Sequence, residues 1–134
     1  MNNLHVIIVA MPGTWQKMLK SYTEAYPSVG AVELANGSLS AVQLAEVHPP
    51  DMLLIDSSIP TDETVALIKN VKQANPATCS VVLTDTSRQG RRITLAGADY
   101  TLPTYSLVSR IGEILNTLLA NHRDDAERAA KTAD

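Results

Sequence analysis

Short runs of large apolar residues alternate along this chain with longer stretches in which apolar positions recur every three or four residues. Such alternation is the pattern of strands buried on both faces and joined by amphipathic helices, which wind into a parallel sheet. The first strand is predicted at Leu4 to Val9, and Trp15, Met18, Leu19, Tyr22 and Tyr26 line one face of a helix that Pro27 and Ser28 stop. A second strand, about Val29 to Leu34, ends at the turn pair Asn36-Gly37, after which Ser38 is placed to cap a short helix to Glu46. The third run, Met52-Leu53-Leu54-Ile55, ends in the carboxylate of Asp56. Thr61 or Asp62 is predicted to cap the third helix, which turns Val65, Ile68 and Val71 inward and ends near Asn75-Pro76. Cys79 to Thr84 is the fourth strand. The helix after it, about Ser87 to Ala96, carries Gly90 at a cost of about 1 kcal/mol relative to Ala, and Gly97 ends it. A short fifth strand, Tyr100 to Leu102, meets Pro103, and the last helix has Leu107, Val108, Ile111, Ile114, Leu115, Leu118 and Leu119 at amphipathic spacing.

Length then bounds the organisation. A chain of 134 residues fits one domain, expected over residues 1–121, with a polar, helix-prone tail at 122–134 that extends the last helix or is disordered. In that tail Asp124 and Arg128, and Glu127 and Lys131, are spaced for i,i+4 pairs. A net charge of -3 gives no bulk attraction for nucleic acid or an anionic membrane, so neither is expected as a partner. The amino terminus lacks a basic, signal-like start and no apolar run approaches the ~20 residues of a membrane span, so a cytoplasmic protein is expected. The single cysteine, Cys79, opens an apolar run and reads as a buried thiol; His5, His48 and His122 are scattered without metal-type spacing.

An apolar strand ending in an acid puts that acid at the carboxyl end of the sheet, where open α/β sheets place their sites. Together with Asp51-Met52-Leu53-Leu54-Ile55-Asp56 and Pro60, the motifs Val81-Val82-Leu83-Thr84, Gly97-Ala98-Asp99-Tyr100 and Ala35-Asn36-Gly37 make residues 4–119 resemble the receiver domain of two-component response regulators. The resemblance implies a flavodoxin-like (βα)5 fold, a doubly wound five-stranded parallel sheet in the order 2-1-3-4-5. It further implies that Asp56 matches the phosphoacceptor, Thr84 the switch hydroxyl and Tyr100 the switch aromatic.

The resemblance also implies what is missing. An aspartyl phosphorylation site needs a divalent metal and a cation to stabilise the equatorial oxygens of the transferred group, and Mg²⁺ is held by one or two carboxylates with phosphate and water. The acidic pair of such sites falls here on Ala10 and Met11, and the lysine on Pro103, or on Leu102 after a one-residue shift. Arg110 is the nearest downstream cation in sequence, and Asp85 is the other acid near the strand tips. Removing even one preorganised donor at an oxyanion site costs about 10²–10³ in rate. Mg²⁺-dependent phosphorylation of Asp56 is therefore not expected, no metal or other cofactor is expected, and the chain reads as a degenerate pseudo-receiver. Asp56 then has a structural alternative, a strand-end acid bonded to loop N–H groups or to the Ser57 and Ser58 hydroxyls. Trp15 reads as core or half-buried packing, although it follows the loop where the acids belong and is placed to fill part of the vacated pocket.

The function expected is that of an atypical receiver acting as a protein interaction module. Its partner would be a histidine kinase, an output protein or another signalling component, or a second copy pairing through the face of the fourth helix, fifth strand and fifth helix. Arg88, Arg91 and Arg92 form the compact basic cluster on that fourth helix and suit an acidic partner. Two alternatives stay open: a conventional phosphoacceptor using Asp56 in a phosphorelay, and a sensor of nucleotide or flavin on the same fold, for which Met11-Pro12-Gly13-Thr14 offers a single glycine. An enzyme is not expected, because the three histidines fall at strand starts or helix ends and no Ser/His/Asp or Cys/His set meets at one strand end.

Overall fold

A computed structural model describes residues 3–132, with side chains described except at positions 123, 125–127 and 129–132. Five strands, β1 (Leu4–Val9), β2 (Val29–Ala35), β3 (Met52–Ile55), β4 (Cys79–Thr84) and β5 (Tyr100–Pro103), alternate with helices α1 (Thr14–Glu24), α2 (Ser38–Val47), α3 (Thr61–Ala74), α4 (Ser87–Ala96) and α5 (Leu107–Thr132). All pairings are parallel and the sheet order is β2-β1-β3-β4-β5, the doubly wound topology expected of the sequence. Each strand exit therefore points to one end of the sheet. The switch point lies where β1 and β3 diverge, so the loops after them bound one crevice.

Every residue of β1, β3 and β4 is buried, which is why these runs lack polar alternation. Their side chains divide by parity into two cores. Leu4, Val6, Ile8, Met52, Leu54, Val81 and Leu83 pack with Leu19 of α1 and Ile111, Ile114 and Leu115 of α5. On the other face Ile7, Val9, Leu53, Ile55 and Val82 pack with Ala41 of α2, Leu67, Ile68 and Val71 of α3, and Ile93 of α4. The helix boundaries correct several expectations. Neither Ser38 nor Thr61 nor Asp62 is a cap: Gly37 and Pro60 hold those positions without a side-chain bond, whereas Thr86 caps α4 by accepting from the Gln89 N–H. Gly97 ends α4 at φ 113°, a left-handed conformation that disfavours any residue with a Cβ.

Two apolar residues assigned inward by spacing face solvent instead, Met18 on α1 and Val108 on α5. Val108 belongs to the first turn of α5, entered through a 3-10 turn at Thr104–Ser106 that rotates the stripe, so Leu107 is the residue delivered to the core. The helix then runs on through the polar tail to Thr132. The pairing expected of Glu127 with Lys131 lies outside the described residues. Leu54→Ala, in the middle of the central strand, is expected to cost about 2–5 kcal/mol in urea denaturation, and Val108→Ser less than about 0.5 kcal/mol.

Candidate functional site

The crevice at the strand exits is built by the loops after β1 and β3. Asp56 follows β3, its N–H donating to the Val9 carbonyl at 2.9 Å, so its side chain is fixed at the mouth between the two strands. The residue is only 3 % exposed, and a carboxylate so placed needs donors for its oxygens. Both are found. The Trp15 indole Nε1–H donates to Oδ1 at 3.0 Å, and the Ser58 backbone N–H donates to Oδ2 at 3.1 Å. The first residues of α1 thus lie over the acid, with the indole half-exposed as its cover.

Further bonds lace the two loops together. The Met11 N–H donates to the Ser58 hydroxyl at 3.1 Å, joining the loop after β1 to the loop after β3. Gln16, buried one residue beyond Trp15, donates to the Ala10 carbonyl at 3.1 Å and to Asn36 Oδ1 at 2.8 Å. Ala10 is buried in the α1 and α5 core and Met11 projects outward, so the positions that matched an acidic pair bring no side-chain oxygen to the crevice. Spacing alone did not distinguish Gln16 as part of the site. Its role rests on where the loop after β1 turns, which no residue pattern announces.

On the far side of the crevice, the Thr84 hydroxyl is buried and donates to the Leu102 carbonyl at 3.4 Å. Pro103 stands opposite Thr84 in the β4–β5 register, exposed at the end of an edge strand, where a residue without an N–H is tolerated. Arg110 lies 3.6 Å from Glu113 on its own helix. Asp85 is exposed, its N–H donating to Gln89 Oε1. Tyr100 is not brought to Thr84. It packs on the α1 and α5 face of the sheet, and the residue of β5 turned toward α4 is Thr101, whose hydroxyl accepts from Thr94 at 3.0 Å. The parity of β5 decides this, because Tyr100 and Leu102 share one face and Thr101 takes the other.

The basic cluster divides. Arg92 pairs with Asp62 of α3 at 2.6 Å, while Arg88 and Arg91 are exposed without an ion-pair partner among the described residues. The histidines lie at the opposite end of the sheet. His5 Nε2 is 2.6 Å from Glu33, its ring stacks on His48 at 4.4 Å, and His122 is 2.5 Å from Asp51. No His, Ser and Asp set forms at the strand exits among the described residues, and no group of three or more His, Cys, Asp or Glu is placed there to hold a metal ion. No helix among the described residues is long and apolar enough to cross a membrane.

Cys79 is buried at the start of β4. Burial, with Asp99 nearby and Lys72 opposing, pushes its thiol up to about 12. A neutral thiol stored at that value makes a poor nucleophile.

No family model matches the chain, and no curated protein matches it in sequence. Its fold is that of solved receiver domains. The receiver domain of a Francisella response regulator is 19% identical with a TM-score of 0.74, the match covering 90% of this chain and 99% of that one. A putative response regulator from Chloroflexus aurantiacus is 24% identical with a TM-score of 0.70, over 85% of this chain and 98% of the other. The receiver domain of a histidine kinase from Arabidopsis thaliana, solved with Mg²⁺ and BeF₃⁻, is 17% identical with a TM-score of 0.66, over 85% and 90%.

Trp15→Phe keeps an aromatic side chain but removes the N–H donor from a buried carboxylate, and is expected to lower stability by about 1–3 kcal/mol in urea denaturation. Restoration of that loss in Trp15→Phe combined with Asp56→Leu would locate the effect in the bond rather than the ring. The Cys79 thiol is expected to resist a thiol reagent at pH 8 in the folded chain and to react at once in urea. Because unfolding returns the thiol to its ordinary value of 9.0, stability falls as pH rises past that value.

Proposed function

We propose that this chain is a cytoplasmic signalling module of receiver fold that regulates a separate protein by binding it, without Mg²⁺-dependent phosphorylation and without enzymatic activity of its own. The observation that carries the reading is the Asp56 carboxylate, both of whose oxygens are already engaged by N–H groups of Trp15 and Ser58. Attack on a phosphodonor requires an exposed carboxylate oxygen beside a metal, with a cation facing the departing and arriving oxygens. Here Oδ1 accepts from the Trp15 indole and Oδ2 from the Ser58 N–H. The chemistry of the donor set does not fit Mg²⁺, which prefers several oxygen ligands in octahedral arrangement, because Ala10 and Met11 supply no side-chain oxygen. With Pro103 and Leu102 at the cation's place, a phosphoryl group of about -1.5 to -2 charges would rest on water and backbone alone.

Signalling through a partner is supported by the surface beyond the crevice. The face formed by α4, β5 and the start of α5 carries Arg88 and Arg91, without an ion-pair partner among the described residues, and exposes Leu95, Tyr105 and Val108. Apolar side chains grouped beside exposed cations suit an acidic protein surface, and charge there governs encounter rate and partner choice. With a net charge of -3, the same face does not make the chain a nucleic-acid binder.

The reading is tested by incubating the chain with acetyl phosphate and Mg²⁺ and recording intact mass, alongside ¹⁵N NMR spectra with BeF₃⁻ and Mg²⁺. No phosphoryl adduct and no change at the Asp56 and Ser58 amides are expected. Stoichiometric modification that disappears in Asp56→Asn would return the chain to the phosphorelay reading.

A further inference from the structure

All three histidines of the chain, His5, His48 and His122, come together at the end of the sheet opposite the strand exits. The acid among them is Asp51. Its backbone is fixed in the sheet, the N–H donating to the His5 carbonyl at 2.8 Å and the carbonyl accepting from the Cys79 N–H at 2.9 Å. Its side chain is divided between two elements: Oδ2 accepts from the His5 N–H at 2.7 Å, and Oδ1 lies 2.5 Å from His122 Nε2 on α5. The His5 ring is engaged elsewhere, by Glu33 and by the stacked ring of His48. A carboxylate on a rigid strand start thus meets an imidazole on a helix that runs on past the core.

The position of that contact along α5 makes it consequential. Leu118 is the last described side chain of the helix in the core, with Leu119 packed beside it, whereas Ala120, Asn121, His122, Asp124 and Arg128 are all exposed. The described side chains beyond Leu119 therefore add no apolar burial, and a helix shorter than about 12–15 residues is marginal in water on propensity alone. Turns held so weakly respond to a single ion pair. The charged groups facing His122 are few. Asp51 faces it from the start of β3, and Asp124 and Arg128, of opposite charge, line the same notch of about 400 Å³ from α5 itself. The loop before β4 contributes Asn75 and Ala77, which carry no charge.

We infer that the contact of His122 with Asp51 is a proton-dependent latch on the turns of α5 that follow the core. Protonated, His122 forms an ion pair with Asp51 and ties the helix to the sheet. Neutral, it keeps only a hydrogen bond, and the turns beyond it unwind more readily. Imidazole is the side chain that ordinarily exchanges its proton between pH 5 and 8, so the latch tightens as pH falls through that range and loosens as it rises. An exposed ion pair adds little to a packed core, yet it multiplies the ratio of helical to unwound chain by about two- to fivefold. The latch lies at the far end of the sheet from Asp56 and does not depend on whether that residue is modified.

The test is ¹³Cα NMR of the full labelled chain at pH 5.5 and pH 8.0, read at Ala120, Asn121, Asp124 and Arg128 and not at His122, whose own titration moves its signal. These carbons are expected to report a helical-to-unwound ratio about two- to fivefold higher at pH 5.5. His122→Gln, which keeps a side-chain donor but no titrating group, and Asp51→Asn, which removes the charge, are each expected to abolish the pH dependence. His48→Gln and Glu33→Gln are expected to keep it. Equal ratios at the two pH values in the unaltered chain, or a pH dependence that survives His122→Gln or Asp51→Asn, would overturn the latch. Loss of the response in His48→Gln or Glu33→Gln would overturn it as well, by tying the effect to the His5 ring. Should Asp51→Asn not fold, His122→Gln, at an exposed position, carries the comparison alone.

Discussion

A carboxylate buried at the mouth of a parallel sheet has to be neutralised, coordinated or hydrogen-bonded, and which of these it receives decides what the strand exits can do. At Asp56 the structure supplies two N–H donors, one from the Ser58 backbone and one from the Trp15 indole. The second is the consequential one, because it draws the start of α1 across the acid and closes the loop after β1 onto the loop after β3. The Met11 to Ser58 bond and the two bonds of Gln16 follow from that closure. In a site of low local dielectric, hydrogen bonds to a charged oxygen are worth about 1.5–3 kcal/mol each, comparable to the stability at stake in a marginally stable fold. The arrangement that would make Asp56 reactive must first break them.

In the function proposed above, chemistry and partner binding fall to different parts of the fold. The crevice after β1 and β3 is occupied by its own side chains, whereas the face of α4, β5 and the start of α5 keeps open space, exposed apolar groups and the exposed guanidinium groups of Arg88 and Arg91. Between the two regions stands Thr84, whose hydroxyl donates to the Leu102 carbonyl. A receiver fold retains its parallel core under such changes because the core depends on the burial of β1, β3 and β4 on both faces, not on the residues at their tips.

How much of this the sequence carries depends on the kind of signal. Fully buried strands advertise themselves as apolar runs, so Val6 to Val9, Met52 to Ile55 and Ser80 to Leu83 were legible, whereas the strand order came with the resemblance to receiver domains. Asp56 was legible because it ends such a run. Helix faces were less so: Met18 and Val108 fit an apolar period yet face solvent, since the entry angle of α1 after Gly13 and of α5 after the Thr104 turn sets the phase of each stripe. The place of Trp15 beside the site followed from its position after the loop, but its bond to Asp56 did not, because it joins residues 41 positions apart. Tyr100 illustrates the limit most directly. In a four-residue strand, one position of slip exchanges the faces, and the residue toward α4 is Thr101.

The central claim, that the Trp15 indole holds Asp56 in place of a metal, is tested most directly on the indole N–H itself. The chain has one tryptophan, so its Nε1–H gives a single resolved NMR resonance. The bond predicts an indole proton that exchanges with solvent far more slowly than in a free indole, is unmoved by Mg²⁺, and shifts to the free position in Asp56→Ala. Exchange at the free rate, with Mg²⁺ perturbing the Asp56 amide, would contradict the account.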